Sequence, residues 1–300
     1  MPDLDAKPAV RSRAFFWVVV AYLCAGGAAL GVGWALRASH ALLVAGAADL
    51  AGTAVIFVFA WRFDNSSFYD PYWSVAPIPL VVYFGVIGGG GVPARVAVVI
   101  GLVSLWSLRL TYNWARGWSG LAHEDWRYRD IRGWSGRWYW PASFLTIMLM
   151  PTVLVFGGCL AAWAALTPAA AARPLGGLDA VAAAVTGLAI LYEATADQQL
   201  RRFVLGRPGP EAIMDRGLWA YCRHPNYFGE VLFWWGLFLF ALAAGPARWW
   251  VVMGPAAITA LFVFVSIPLI DARMLARRPG YAAHRERVSR IVPWPPRRPG

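Results

Sequence analysis

The sequence predicts an all-α membrane protein, a polytopic bundle of transmembrane helices forming one integral membrane domain over residues 1–300. Three observations carry that expectation. Of the 300 residues, 59% are hydrophobic and only 14% charged, where an average soluble domain carries about 25% charged residues. Mean hydropathy is +0.51. The apolar residues also fall in long runs, and a helix needs about 20 of them to cross a bilayer core.

Taken in order, the first span covers 15–36. The run from Phe15 to Leu36 is too long for the apolar region of a cleaved signal peptide and has no clear cleavage site, so it is expected to persist as a helix. Gly26, Gly27, Gly31 and Gly33 within it read as helix-packing positions. Further spans follow at 41–61, 75–89, 93–113, 141–166, 178–200, 227–245 and 249–270. The third is short and holds Pro77 and Pro79, so it is tilted, kinked or re-entrant, and a count of seven stays open beside eight. Gly88–Gly91 and Ala169–Ala172 read as connectors. The long segments between spans are 114–140, 201–226 and the tail 271–300.

Charge gives the orientation. With eight spans and the N-terminus in the cytoplasm, 22 of the 27 Lys and Arg fall on the cytoplasmic side. The other side receives four, Arg37, Arg95, Arg173 and Arg248, while Arg109 lies inside a span. The asymmetry obeys the positive-inside rule and puts both termini in the cytoplasm. The net charge of +11 is thereby explained by membrane orientation, and nucleic acid is not an expected partner. Cys24, Cys159 and Cys222 have neither CxxC spacing nor metal-ligand company, so no disulfide framework and no metal site are expected. Without a Walker A sequence or a strand followed by GxGxxG, any nucleotide is not held by a Rossmann unit.

Polar groups beside hydrocarbon are costly and usually mark function. The densest set is Trp219 to Glu230, where Tyr221, Arg223, His224, Asn226, Tyr227 and Glu230 crowd the mouth of the seventh span. On the sixth span Glu193, Asp197 and Arg201 share a helix face at i, i+4 and i+8. They form either an interfacial ladder of ion pairs or the wall of a wet cavity. On the fourth, Trp106, Arg109 and Asn113 share a face, where Arg109 either snorkels to the interface or holds an anionic or carbonyl-bearing ligand. Phe68 to Ser74 reads as an interfacial aromatic belt, but a belt does not explain Asp70, a candidate proton donor if desolvation keeps it protonated. The loop from His123 to Arg132 is either a solvated charged loop or a cap over a nucleotide. In the tail, Asp271, Arg273 and Tyr281 precede an apolar end at Ile291 to Trp294, which suggests that the tail folds back. Its arginines suit either anionic lipid heads or phosphate groups.

These residues resemble the steroid 5-alpha-reductase superfamily of membrane reductases, specifically its bacterial DUF1295 branch. The matching pieces run from Tyr69 onward: Tyr69 to Pro77, Leu108 to Trp114, His123 to Tyr128, Glu193 to Gln198, Tyr221 to Glu230 and Arg278 to Tyr281. The Arg223-to-Glu230 piece alone is similar in sterol reductases and isoprenylcysteine methyltransferases; the ordered set is particular to the reductases. The resemblance implies a helical membrane fold with NADPH bound in the C-terminal half, here 178–300. It carries cofactor binding onto Glu193, Asp197, Arg201, Tyr221, Arg223, His224, Asn226, Tyr227 and Glu230, and onto Asp271, Arg273 and Tyr281 across a different spacing. The family's Glu and Tyr, which grip a substrate carbonyl, fall on Asp70 and Trp106. Trp106 has no hydroxyl, leaving Tyr72, Tyr69 or Tyr112 to supply one.

The expected activity is NADPH-dependent reduction of an activated carbon–carbon double bond in a lipophilic, steroid- or enone-like substrate, with Asp70, Tyr72, Trp106 and Arg109 at the reacting end. The expected location is a bacterial inner membrane, among membrane lipids, with no obligate protein partner. Two other classes remain beside it: an S-adenosylmethionine-dependent methyltransferase of the isoprenylcysteine type, and a non-enzymatic lipid-binding protein. The basic pocket argues against a cationic sulfonium donor and for the phosphates of NADPH.

Overall fold

In a computed structural model, the structure describes residues 8–87, 94–122 and 124–297. It is helical throughout, with one isolated bridge between Cys222 and Ser289 as its only extended pairing among the described residues. Among the described residues, seven helical runs are long and apolar enough to cross a membrane. The protein is an integral membrane helix bundle. The helices group into two compact units, 1–92 with 103–159, and 93–102 with 160–300.

The first unit begins with α1 (Pro8–Ala35) and α2 (Ala41–Arg62), followed by a 3-10 turn at Ser66–Phe68. The expected third span is two pieces, α3 (Tyr72–Val75) and α4 (Pro77–Ile87). Prolines at 71 and 77 lack the N–H that a continuous helix would use, so the chain restarts at each. The connector Gly88–Gly91 lies outside the described residues, as does His123. α5 (Ala94–Gly117) leads into α6 (Trp126–Ser135), α7 (Tyr139–Ser143), a π-turn at Phe144–Leu149 and α8 (Met150–Leu166). Asp125 caps α6, its carboxylate accepting from Arg127 N at 2.8 Å. Ile56, Ala60, Phe68, Tyr69, Tyr128 and Met148 belong to the unit's core.

One end of this unit is stitched by polar contacts. Arg11 donates to the Ala115 carbonyl at 2.9 Å, and Asn65 to that of Leu121 at 2.8 Å. Glu124 accepts from Ser66 N at 2.8 Å, and Arg132 pairs with Asp64 at 2.9 Å. The start of α1, the connector after α2 and the segment after α5 therefore share one face, as their basic residues led one to expect. α4 is not among the spanning runs: its 11 residues rise only about 16 Å, half a bilayer core.

The second unit holds α9 (Pro168–Ala171), α10 (Gly177–Leu205), a 3-10 turn at Gly217–Ala220 and α11 (Pro225–Ala244). A 3-10 stretch (Pro246–Val252), α12 (Met253–Leu261), a π-turn (Phe262–Ser266), α13 (Ile267–Arg277) and α14 (Tyr281–Arg287) complete it. α10 and α11 pack backbone to backbone at two glycines one heptad apart. A Cβ on Gly229 would lie 2.6 Å from Glu193 Cβ and 3.0 Å from its backbone N, and one on Gly236 would strike Thr186. Small residues permit such close approach where lipid gives no hydrophobic drive for helix association.

One end of this unit pins arginines to carbonyls and one carboxylate. Arg95 is 2% exposed and grips Asp179, itself 3% exposed, through Nε and Nη2 at 2.8 Å each. Arg95 also donates to the Ala170 carbonyl, while Asp179 accepts from Gly176 N at 2.9 Å. Arg173 donates to the Ala244 carbonyl at 2.9 Å and Arg248 to Thr167 Oγ1 at 2.8 Å. Removing one partner of a buried pair strands the other's charge. Asp179→Asn is therefore expected to cost about 3 kcal/mol, read as a marked fall in the detergent-solubilised melting temperature. The paired change Arg95→Met with Asp179→Leu should recover most of that loss.

Candidate functional site

The carboxylate of Asp271 organises the second unit's polar centre. It is 8% exposed on α13 and accepts from Arg223 Nη1 at 2.8 Å. His224 Nε2 lies 3.1 Å from its other oxygen, to which the Tyr281 hydroxyl also donates. Three segments thus meet at one acid: α13, which bears it, the start of α14 ten residues on, and the distant loop before α11. His224 precedes Pro225 at the start of α11 with non-helical backbone (φ −134, ψ 60), and its ring lies parallel to Tyr227 with centroids 5.6 Å apart. Tyr227 in turn packs on Phe262 at 4.5 Å.

On the α10 side, Glu193 is buried at the Gly229 contact, and Asp197 and Arg201 follow on the same face, each half-buried. Glu230 is buried one residue beyond Gly229 and accepts from Trp234 Nε1 at 2.8 Å. Asn226 and Arg273 are half-buried on α11 and α13. The loop between α10 and α11 is fastened back by Trp219 Nε1 to the Ala196 carbonyl at 3.0 Å and by Leu218 N to Gln199 at 2.9 Å. Gly217 turns that loop at φ +61, in close contact with Gln199, where a side chain would be strained. Nε of Arg223 and the hydroxyl of Tyr192 are buried here without a hydrogen-bond partner among the described residues. Such groups call for an explanation, and a bound ligand is one.

The tail folds back as expected. Arg223 N donates to the Ser289 carbonyl at 2.9 Å, and Trp294 N to that of Tyr221 at 3.0 Å. Tyr221 contributes its backbone to this seam, while its side chain is 50% exposed. The seam brings the arginines of the 201–226 loop and of the tail to one face, with Arg202, Arg207, Arg216, Arg277, Arg285 and Arg287 all exposed. Cys222, inside the seam, donates its thiol to the Ile291 carbonyl at 2.9 Å. Burial pushes that thiol up to about 11, so it is a poor nucleophile at neutral pH.

The first unit holds two separate acid–phenol pairs. Asp70 accepts from the Tyr128 hydroxyl at 2.5 Å. Burial pushes its carboxyl up to about 7, and the Tyr128 hydrogen bond opposes that rise. The phenols weighed as its partners point elsewhere: Tyr69 bonds Thr152 at 2.8 Å, Tyr72 bonds Asp49, and Tyr112 is 64% exposed. Tyr72 donates to Asp49 Oδ1 at 2.9 Å and to the Asp49 carbonyl at 2.8 Å. It reaches them because Gly52 leaves room, a Cβ there standing 2.5 Å from the phenolic oxygen. Asp49 and Tyr72 both line a cavity of about 580 Å³ bounded by α1, α2 and α4. Trp106 is fully buried, edge-on to Trp73 at 6.3 Å, and Arg109 is half-buried one turn along α5. Asn113 accepts from Arg116 at 2.6 Å.

Sequence reasoning passed over Asp49, although an acid within the apolar run 41–61 was signal enough; Tyr128 was read only as part of the charged loop, and Tyr192 was given no role. The described 124–132 residues serve the first unit's own end, through Glu124, Tyr128 and Arg132.

Comparison with known proteins adds one family and one relative. The profile of the family described as "Protein of unknown function (DUF1295)" matches residues 56–288. An uncharacterized protein of Schizosaccharomyces pombe is 25% identical over 265 residues, 81% of this chain and 76% of its own length. No solved structure matches.

The raised carboxyl of Asp70 fixes a sign for stability against pH. The folded state holds this proton to about pH 7, whereas an unfolded Asp releases it near 3.9. Its contribution is complete below the lower value and is lost as pH rises through the upper one. Asp70→Asn should flatten the melting temperature between pH 5 and 8, measured by thermal unfolding in one detergent. An unchanged slope would remove Asp70 as its source.

Proposed function

We propose, on the premise that the chain belongs to the DUF1295 family, that it is a membrane-embedded oxidoreductase. In this reading it reduces an activated carbon–carbon double bond of a lipophilic substrate with NADPH. The observation that carries this reading is the Asp271 centre. A buried carboxylate holds Arg223 and His224 beneath an arginine-rich face, while Arg223 Nε and the Tyr192 hydroxyl keep unused donors.

That donor set fits the cofactor. Guanidinium groups offer paired N–H donors to phosphate oxygens, and the face gathers them from the 201–226 loop and the tail. Arg223 Nε, Tyr192 and the polar residues at 193–201 are the groups suited to the inner end. When bound, NADPH supplies the hydride, and the protein supplies placement and charge. Positively charged loops favour the cytoplasmic side, so the basic face is assigned there, where the nucleotide is available.

The substrate end is assigned to the first unit's cavity. Its walls are apolar, which suits a lipophilic molecule. Tyr72 rests with its one proton on Asp49; turned to a bound carbonyl oxygen, the same hydroxyl can donate to it as negative charge develops there. Trp106, at the position where the resemblance expects a Tyr, contributes bulk only. Asp70 with Tyr128 is the competing acid–phenol pair, and cavity lining favours Asp49 with Tyr72.

Two experiments test this. NADPH should bind the purified protein saturably, and Asp271→Asn should weaken it at least about tenfold by releasing Arg223 and His224, a loss of about 1.4 kcal/mol. Binding of S-adenosylmethionine in its place would move the reading to a methyltransferase. For the substrate end, Asp49→Asn should lower turnover about 100-fold with NADPH affinity unchanged. If Asp70→Asn does so and Asp49→Asn does not, the role belongs to Asp70.

A further inference from the structure

The glycines of α1 do not do what the sequence suggests. Gly26 and Gly33 stand one heptad apart and both line the cavity. A Cβ on Gly26 would meet nothing within 4 Å, and one on Gly33 would meet only Val44 at 3.8 Å. They hold open a trough rather than seat a neighbouring helix. The trough's polar groups lie at its two ends. Asp49 and Tyr72 stand with Tyr22 at the inner end, and Arg37 stands at the outer end, where its guanidinium lies 4.4 Å over the Trp34 ring. Along α1 and the turn after it, Tyr22 to Arg37 spans about 22 Å.

We infer that this trough binds a single-chain anionic amphiphile, with its head at Arg37 and its chain running along Gly26 and Gly33 toward Asp49 and Tyr72. The length fits one extended lipid chain, and the missing side chains on α1 provide the width for one. Arg37 gives one donor to the Trp34 carbonyl at 2.9 Å, and a guanidinium carries five. Arg37 is exposed, so the head stays at the aqueous boundary while the chain is buried. This builds on the reading of the cavity as the substrate end. It narrows that substrate to a long-chain acid that carries its carbonyl-conjugated double bond far from its acidic head.

Binding can be measured with neither cofactor nor turnover, so its failure is separable from failure of the reductase reading. Doxyl-labelled palmitate is added to the full-length protein in nanodiscs, and the motionally restricted fraction is read by electron paramagnetic resonance. The wild type should restrict the probe, with displacement by unlabelled palmitate and little by its methyl ester. Gly26→Leu with Gly33→Leu should abolish restriction while leaving the melting temperature within a few degrees, because the new side chains enter empty space. Arg37→Gln, at an exposed position, should weaken palmitate about tenfold and leave the ester unchanged. Equal displacement by the ester would overturn the inference. So would equal restriction of a doxyl-labelled phosphatidylcholine, which marks only the surrounding lipid shell, or undiminished restriction in a folded double-leucine variant.

Discussion

A carboxylate cannot be left among hydrocarbon side chains without donors, and this constraint shapes both units. An ionised acid moved from water into a low-dielectric interior pays several kcal/mol even after relaxation. The buried acids meet that cost by drawing distant segments to themselves. Asp179 draws Arg95 across 84 positions of sequence, and Asp271 draws Arg223 across 48. Asp49 is met by Tyr72 and Asp70 by Tyr128. Each pairing fixes where a helix end or connector lies, so the polar groups that suggest chemistry also set the architecture around it. Asp271 is the clearest case: the same oxygens that order the fold-back of the tail orient Arg223 and His224 beneath the basic face.

Glycine serves three opposed ends here. At Gly229 and Gly236 its missing side chain lets α10 and α11 touch, which brings Glu193 and Glu230 together at one level of the bundle. At Gly26 and Gly33 nothing fills the vacated volume, and a trough results. At Gly52 the space is taken by the Tyr72 hydroxyl, which thereby reaches Asp49. A sequence shows the glycine and not which neighbour approaches it, so the α1 glycines read as packing positions while the important packing glycine sat inside the polar stretch at 221–230.

The helical fold was legible because apolar run length is a local property, and so was the gathering of basic loops at one end of each unit. The third span was harder. Its prolines announced a break, and the segment folds as a short α3 and an α4 of 11 residues, which is too short to cross a bilayer core by itself. At the site, Arg223, His224 and Tyr281 were visible as costly polar groups beside an apolar span. Their dependence on Asp271 was not, since that pairing is set by tertiary contact. Tyr128 was read within a charged loop, and its meeting with Asp70 depends on how that loop returns over α2.

The proposed reaction moves a hydride from NADPH to a lipid held by this protein. The most direct measurement is isotope transfer: the wild-type protein in nanodiscs, supplied with an anionic lipid extract and NADPH deuterated at the transferable position. The expected result is a lipid that gains one deuterium at a former double bond, detected by mass spectrometry, and loss of that label in Asp271→Asn. Saturable NADPH binding by folded protein with no deuterium in any extracted lipid would contradict it.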